Sequence, residues 1–163
     1  MKRPSHIVAE APKLVLVTAP LYNARILRLA ASIPHHARLD SPMAIVEKRS
    51  PVCGSRITLD MNADAEGRVA GLGLEVRACA LGQASAALLA EHATGKSVAE
   101  LATARDALAD WLAGRAPQPD WPGIDVFAPA LPHSARHASI RLAFEAAAEA
   151  AAEIELSRRR TSA

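Results

Sequence analysis

Alanine is the commonest side chain in this sequence, at 37 of 163 residues, while aromatic residues supply only 3%. A core made largely of methyl groups reaches close packing only if the backbones themselves come close together. Alanine also has the highest intrinsic helix propensity. The chain is therefore expected to form helical layers at short separation, not a large sandwich filled by aromatic rings. At 17.2 kDa it has the size of one domain and can bury a real core.

Periodicity divides the chain. Leu21, Ile26, Leu29 and Ile33 describe an amphipathic helix that stops at Pro34. Strand patterns follow at 43–50, 55–61 and 69–78, the clearest being Ile57, Leu59 and Met61 alternating with Arg56, Thr58 and Asp60. The polar link 62–67 predicts a hairpin, and the whole predicts a small antiparallel meander of three strands. Helices are then expected over 80–95, 97–114 and 137–156. The second opens with a Ser97–Glu100 capping box, and the third carries an apolar stripe of Ile140, Phe144, Ala147, Ala151 and Ile154. The fold class is α+β, a three-stranded antiparallel sheet with helices packed on it. Residues 1–18 read as a loose N-terminal arm, 19–157 as the domain and 158–163 as a basic tail.

Charge removes one class of function. Lys and Arg total 19 against 17 Asp and Glu, and without Arg158, Arg159 and Arg160 the balance is 16 against 17. A body so close to neutral lacks the basic face that nucleic-acid binding needs. The apolar run Leu14–Val17 lies between Pro12 and Pro20 and is too short for a signal peptide or a membrane span. Two cysteines cannot make a disulfide scaffold, so a reducing, cytoplasmic setting with free thiols is expected.

Those thiols are the main chemical candidates. Cys53 precedes Gly54 in the tight link between two strands, where a thiolate can project from a loop. Cys79 lies where the last strand becomes an Ala-rich helix, a place where free backbone N–H groups favour a thiolate. His137 opens the last helix on its polar side, and imidazole with thiolates suits zinc or iron. Each has a plain alternative: a small buried hydrophobe for either cysteine, a surface ring for the histidine. Other motifs carry less. The stretch ATGKS lacks the first glycine of a phosphate-binding loop and follows a helix, not a strand. Ser139, Asp60 and His137 have no nucleophile elbow around them, and His35–His36 reads as an exposed loop pair, so no enzyme chemistry is visible.

The helix from Leu21, the element PVCGS, the run ACALGQASAALLAEHATGKS and the entry RHASIRLAFEA together resemble the iron–sulfur cluster assembly scaffold proteins, the NifU N-terminal, IscU and SufU-type domains. The resemblance spans roughly residues 20–155. It implies that fold and a site built on Cys53 and Cys79. The family's aspartate after Cys-Gly falls on Ser55, and its third cysteine falls on Ala138 in one register and on Ser139 in another. Neither register restores a cysteine. The resemblance further implies iron or a labile [2Fe–2S] cluster as cargo, a cysteine desulfurase as sulfur donor and apo-proteins as acceptors. A cluster held by one chain needs four outer ligands, so a homodimer sharing Cys53 and Cys79 is a further expectation. Zinc held by Cys53, Cys79 and His137, with Ser55 and Ser139 nearby as weak donors, is the alternative. In either case the expectation is that Cys53, Cys79 and His137 converge on one metal.

Overall fold

The computed structural model describes residues 20–163. The expected arm at 1–18 lies outside the described residues. Asn23 caps the first helix, α1 (Ala24–Ala31), by accepting the Ile26 N–H at 3.1 Å. Three strands follow, β1 (Ala44–Arg49), β2 (Arg56–Ala63) and β3 (Val69–Arg77), antiparallel and in the order β1-β2-β3. Their inner face carries Val46, Ile57, Leu59, Met61, Leu72, Leu74 and Val76, all buried, which is what the period-two pattern requires.

Helices α2 (Ala80–His92), α3 (Val98–Leu112) and α4 (Ser134–Thr161) follow in the chain. α4 lies across β1 and β2, with α2 and α3 packed beside it and α1 on α2. Both halves of the capping box are formed at the start of α3. The small residues of α2 do what the alanine content implies. A Cβ on Gly82 would stand 2.6 Å from the Ser139 Oγ of α4, so only glycine permits this approach. Ser85 donates its hydroxyl to the Ile140 carbonyl, tying the two helices by a buried bond.

The outer face of the sheet holds a feature the alternation does not reveal. Asp60 points outward yet is fully buried, because the 35–39 connection folds back over it. Its carboxylate accepts from Arg38 at 2.7 and 2.9 Å and from the Leu39 N–H at 2.9 Å. Gly73 beneath makes room for this strap, since a Cβ there would meet the Ala37 carbonyl at 2.5 Å.

Two boundaries differ from expectation. The apolar passage before Pro132 forms a 3₁₀ segment, Ile124–Ala130, whose Ile124, Val126 and Phe127 are buried. The basic stretch expected as a tail is helical through Thr161. Its arginines sit at the negative end of the helix dipole, and Arg159 also bonds Glu155 one turn back at 3.0 Å. No helix among the described residues is long and apolar enough to cross a membrane.

Candidate thiol and metal site

The β1–β2 turn closes with the Ser50 N–H on the Ser55 carbonyl at 2.8 Å, and Gly54 takes a positive φ of 69° to complete it. This geometry raises Cys53 to the surface between two buried serines, Ser50 and Ser55. Cys79 is the N-cap of α2 by backbone conformation, but its side chain makes no capping bond. Its half-exposed sulfur is left for other partners.

A chain of side-chain hydrogen bonds joins the two thiols. Cys53 Sγ lies 3.1 Å from Ser55 Oγ, Ser55 Oγ lies 3.1 Å from Ser139 Oγ, and Ser139 Oγ lies 3.3 Å from Cys79 Sγ. Ser50 Oγ stands 3.3 Å from the Cys53 sulfur on its other side. Three segments far apart in sequence therefore meet at one point: the β1–β2 turn, the start of α2 and the first turns of α4. The α4 residue beside the thiols is Ser139.

Burial opposes ionisation of Cys53, but several donors outweigh it. The Ser50 and Ser55 hydroxyls, the Ser55 backbone and the Ser139 hydroxyl favour the thiolate and bring the group down to about 7. A large thiolate fraction at neutral pH follows, available to a metal or an electrophile.

His137 lies elsewhere. Its Nε2 is 2.9 Å from the carbonyl oxygen of Ala130, so the ring ties the start of α4 to the 3₁₀ segment. Among the described residues, no group of three or more His, Cys, Asp or Glu side chains could hold a metal. The expected set of Cys53, Cys79 and His137 is thus brought together only as far as the two cysteines, with Ser55 and Ser139 between them. Ser50 was not foreseen, and its only signal is its place at the foot of the turn. The donor set is two thiols and the hydroxyls of three buried serines, Ser50, Ser55 and Ser139. A hydroxyl binds a metal ion poorly, because its proton is far less acidic than a thiol's and must be lost to give an anionic ligand.

A three-stranded antiparallel sheet under helices, with one cysteine on the first strand turn and another at the junction of sheet and helix, is the architecture of a scaffold-type α+β domain. The chain belongs to the family described as NifU-like N terminal domain, which matches residues 21–155. Its fold is similar to the crystal structure of a nitrogen-fixing NifU-like protein (N-terminal) from Brucella abortus, at 36% identity and a TM-score of 0.79. That match covers 83% of this chain and 95% of the other. A SufU from Fervidobacterium islandicum AW-1, described as a putative iron–sulfur cluster assembly scaffold protein, has the same fold at 20% identity, with a TM-score of 0.74 over 80% of this chain and 96% of that one. A hypothetical protein shares it at 23% identity and a TM-score of 0.70, over 81% and 97%. No curated protein matches the chain.

Proposed function

We propose that this protein is a scaffold-type carrier that holds iron or a labile iron–sulfur cluster through Cys53 and Cys79 and passes it to acceptor proteins. Its role is non-catalytic. The observation that carries this reading is the meeting of the two cysteines at one surface-open point, joined through Ser55 and Ser139. Family membership supports it. A cysteine desulfurase is the source of sulfur in this reading, and apo-proteins are the recipients. Two free thiols fit a reducing compartment.

One chain supplies two thiolates, while a [2Fe–2S] cluster takes four outer ligands, two per iron. The full set is reached when two copies each present Cys53 and Cys79, and the exposure of Cys53 allows a second chain to approach. His137 joins such a site only by releasing the Ala130 carbonyl. A low affinity in the isolated chain is the expected result, and a weak grip suits a cargo that must leave.

Anaerobic reconstitution with iron and sulfide tests this, read by visible absorption, by counts of iron and sulfide, and by oligomeric state. The expected result is about one [2Fe–2S] cluster per two chains, lost in Cys53→Ala and in Cys79→Ala and kept in His137→Ala. A second reading has its own observation: two buried hydroxyls occupy the interior of the site, where further metal ligands would stand. On that reading the chain is a zinc- or partner-binding relative of the scaffolds. Tight binding of one zinc per chain without any iron–sulfur chromophore establishes it and overturns the first. Metal binding that persists unchanged in Cys79→Ala overturns both.

A further inference from the structure

The strand register places three arginines in one row across the outer face of the sheet. Arg49 of β1 pairs with Arg56 of β2, and Arg56 pairs with Arg77 of β3. Like charges directly opposite each other on neighbouring strands destabilise a sheet. Here that arrangement occurs twice in one row. The next row on the same face, Glu47, Thr58 and Glu75, compensates only its ends: Glu47 accepts from Arg49 at 2.7 Å, and Glu75 stands 3.7 Å from Arg77. The Arg56 side chain, in the middle, makes no hydrogen bond or salt bridge among the described residues, and the carboxylate whose charge it feels, Glu47, is already bonded to Arg49.

The row lies at the end of the sheet that carries the thiols. Arg49 and Arg56 flank the turn bearing Cys53, and Arg77 is two residues before Cys79. Together with Ser50, Pro51 and Gly54, the three arginines line an open cavity of 440 Å³. Beside it Val52 is 67% exposed. Folding gives no reason for three arginines in one row, the middle one without a salt bridge, next to an exposed valine. A partner does.

We infer that the Arg49–Arg56–Arg77 row is a docking surface for an acidic segment of a partner protein that engages the Cys53–Cys79 site. The inference rests on the carrier reading for why a partner comes to this end of the molecule. Strands stand about 4.8 Å apart, so the row spans about 10 Å, the reach of several carboxylates along one segment and more than one small oxyanion fills. A nucleic acid fits worse. Its continuous phosphate charge would meet Glu47 and Glu75 in the adjoining row, whereas a protein surface can place bases against them. Val52 and Pro51 then supply the apolar contact common at the centre of a protein interface. Arginine is the residue suited to such sites, because its planar fork takes carboxylates bidentately.

The test uses the full chain, free of metal, and a fluorescein-labelled peptide of eight glutamates followed by anisotropy. Saturable binding is expected, at least tenfold weaker at about 300 mM salt than at about 50 mM. Arg56→Glu should weaken it at least tenfold, while Arg28→Glu, an equal charge change on α1, should alter it less than twofold. Equal losses in both variants mean that overall charge alone binds the peptide, and overturn the inference. So does complete displacement by millimolar inorganic phosphate, which assigns a small-oxyanion pocket. A single-stranded oligonucleotide that outcompetes the peptide, with the same dependence on Arg56, overturns the choice of partner. Arg56→Thr supplies a second readout: its melting temperature should equal or exceed that of the wild type, and a clear fall means the row serves folding. Cluster uptake measured separately keeps the two claims apart. If reconstitution fails while peptide binding depends on Arg56, the cargo assignment falls and the docking surface stands.

Discussion

Replacing Gly82 by alanine adds one methyl group to α2 where two neighbours already stand too close to admit it. The new carbon would lie 2.6 Å from Ser139 Oγ and 2.8 Å from the Cβ of Ala78. The hydroxyl can rotate away, but Ala78 Cβ is fixed to the backbone, so the helices must separate or the start of α2 must shift. Overpacking of this kind costs about 1–3 kcal/mol, and the absence of a rotatable escape puts this case near the upper end. Against it stands the helix-propensity gain of alanine over glycine, about 1 kcal/mol. The steric cost wins, and a net destabilisation of about 2 kcal/mol is expected. With a urea dependence near 2 kcal/mol per M, the unfolding midpoint should fall by about 1 M. The change also displaces Ser139 from between the thiols, so the pH midpoint of Cys53 alkylation should rise, one donor to its thiolate being withdrawn. A midpoint that rises by about 0.5 M, the value propensity alone would give, refutes the claim that contact between α2 and α4 demands a glycine here.

Asp60→Asn should cost about 2–3 kcal/mol in urea unfolding, because it breaks charge-assisted bonds to a buried acceptor. Burial opposes ionisation of Asp60, yet Arg38 and the Leu39 N–H hold its carboxyl below the usual range. Its contribution is therefore full above the unfolded value near 3.9 and lost as pH falls through the folded value, so wild type should lose more stability than the variant below about pH 4. For Cys53, the rate of iodoacetamide labelling in a Cys79→Ala background should show a midpoint at about 7. Ser55→Ala should move that midpoint up by roughly half to one unit, since one donor to the thiolate is lost; an unmoved midpoint refutes the role of the hydroxyl. Because the folded value is depressed, this group adds stability above about 8.5, the unfolded value, and loses it as pH falls through about 7. Ser97→Ala should lower stability by about 1 kcal/mol through loss of the cap on α3, measured by the same urea titration.

Local patterns carried much of the fold. The alternation of Ile57, Leu59 and Met61 placed the inner face of the sheet, and the stripe from Ile140 to Ile154 placed the buried side of α4. Both depend on which side of one element faces a core, and that is written in adjacent residues. Asp60 shows where this stops. It occupies an outward strand position, and its burial comes from a strap that arrives from another part of the chain. The site divides in the same way. Cys53 and Cys79 announce themselves by residue type and by their places at a turn and a helix start. Serine gives no such signal by residue type, and Ser55 and Ser139 are suggested only by the resemblance. Ser139 joins the site through contacts with Ser55 and Cys79, 84 and 60 residues away in sequence. A polar helix face can serve a metal or join two segments, and here the His137 ring bonds the Ala130 carbonyl. The basic end is exposed, as a run of like charges suggests, but it is helical through Thr161, since a helix C-terminus welcomes such a run.

Ser139, which stands between the thiols, lies on α4, an element that follows all three strands in the chain. Synthesis releases the chain from its N-terminus, so Cys53, Cys79 and the strands beside them emerge before α4 does. Throughout that interval Ser139 does not stand between the sulfurs, and the inner face of the sheet lacks its main cover, since α4 lies across β1 and β2. Docking of α4 then performs two acts at once, closing the core through Phe144 and Ile154 and inserting Ser139 into the site. Maturation of the site and completion of the fold are one event. A chain truncated before residue 134 would keep both cysteines and lose the environment that sets their chemistry.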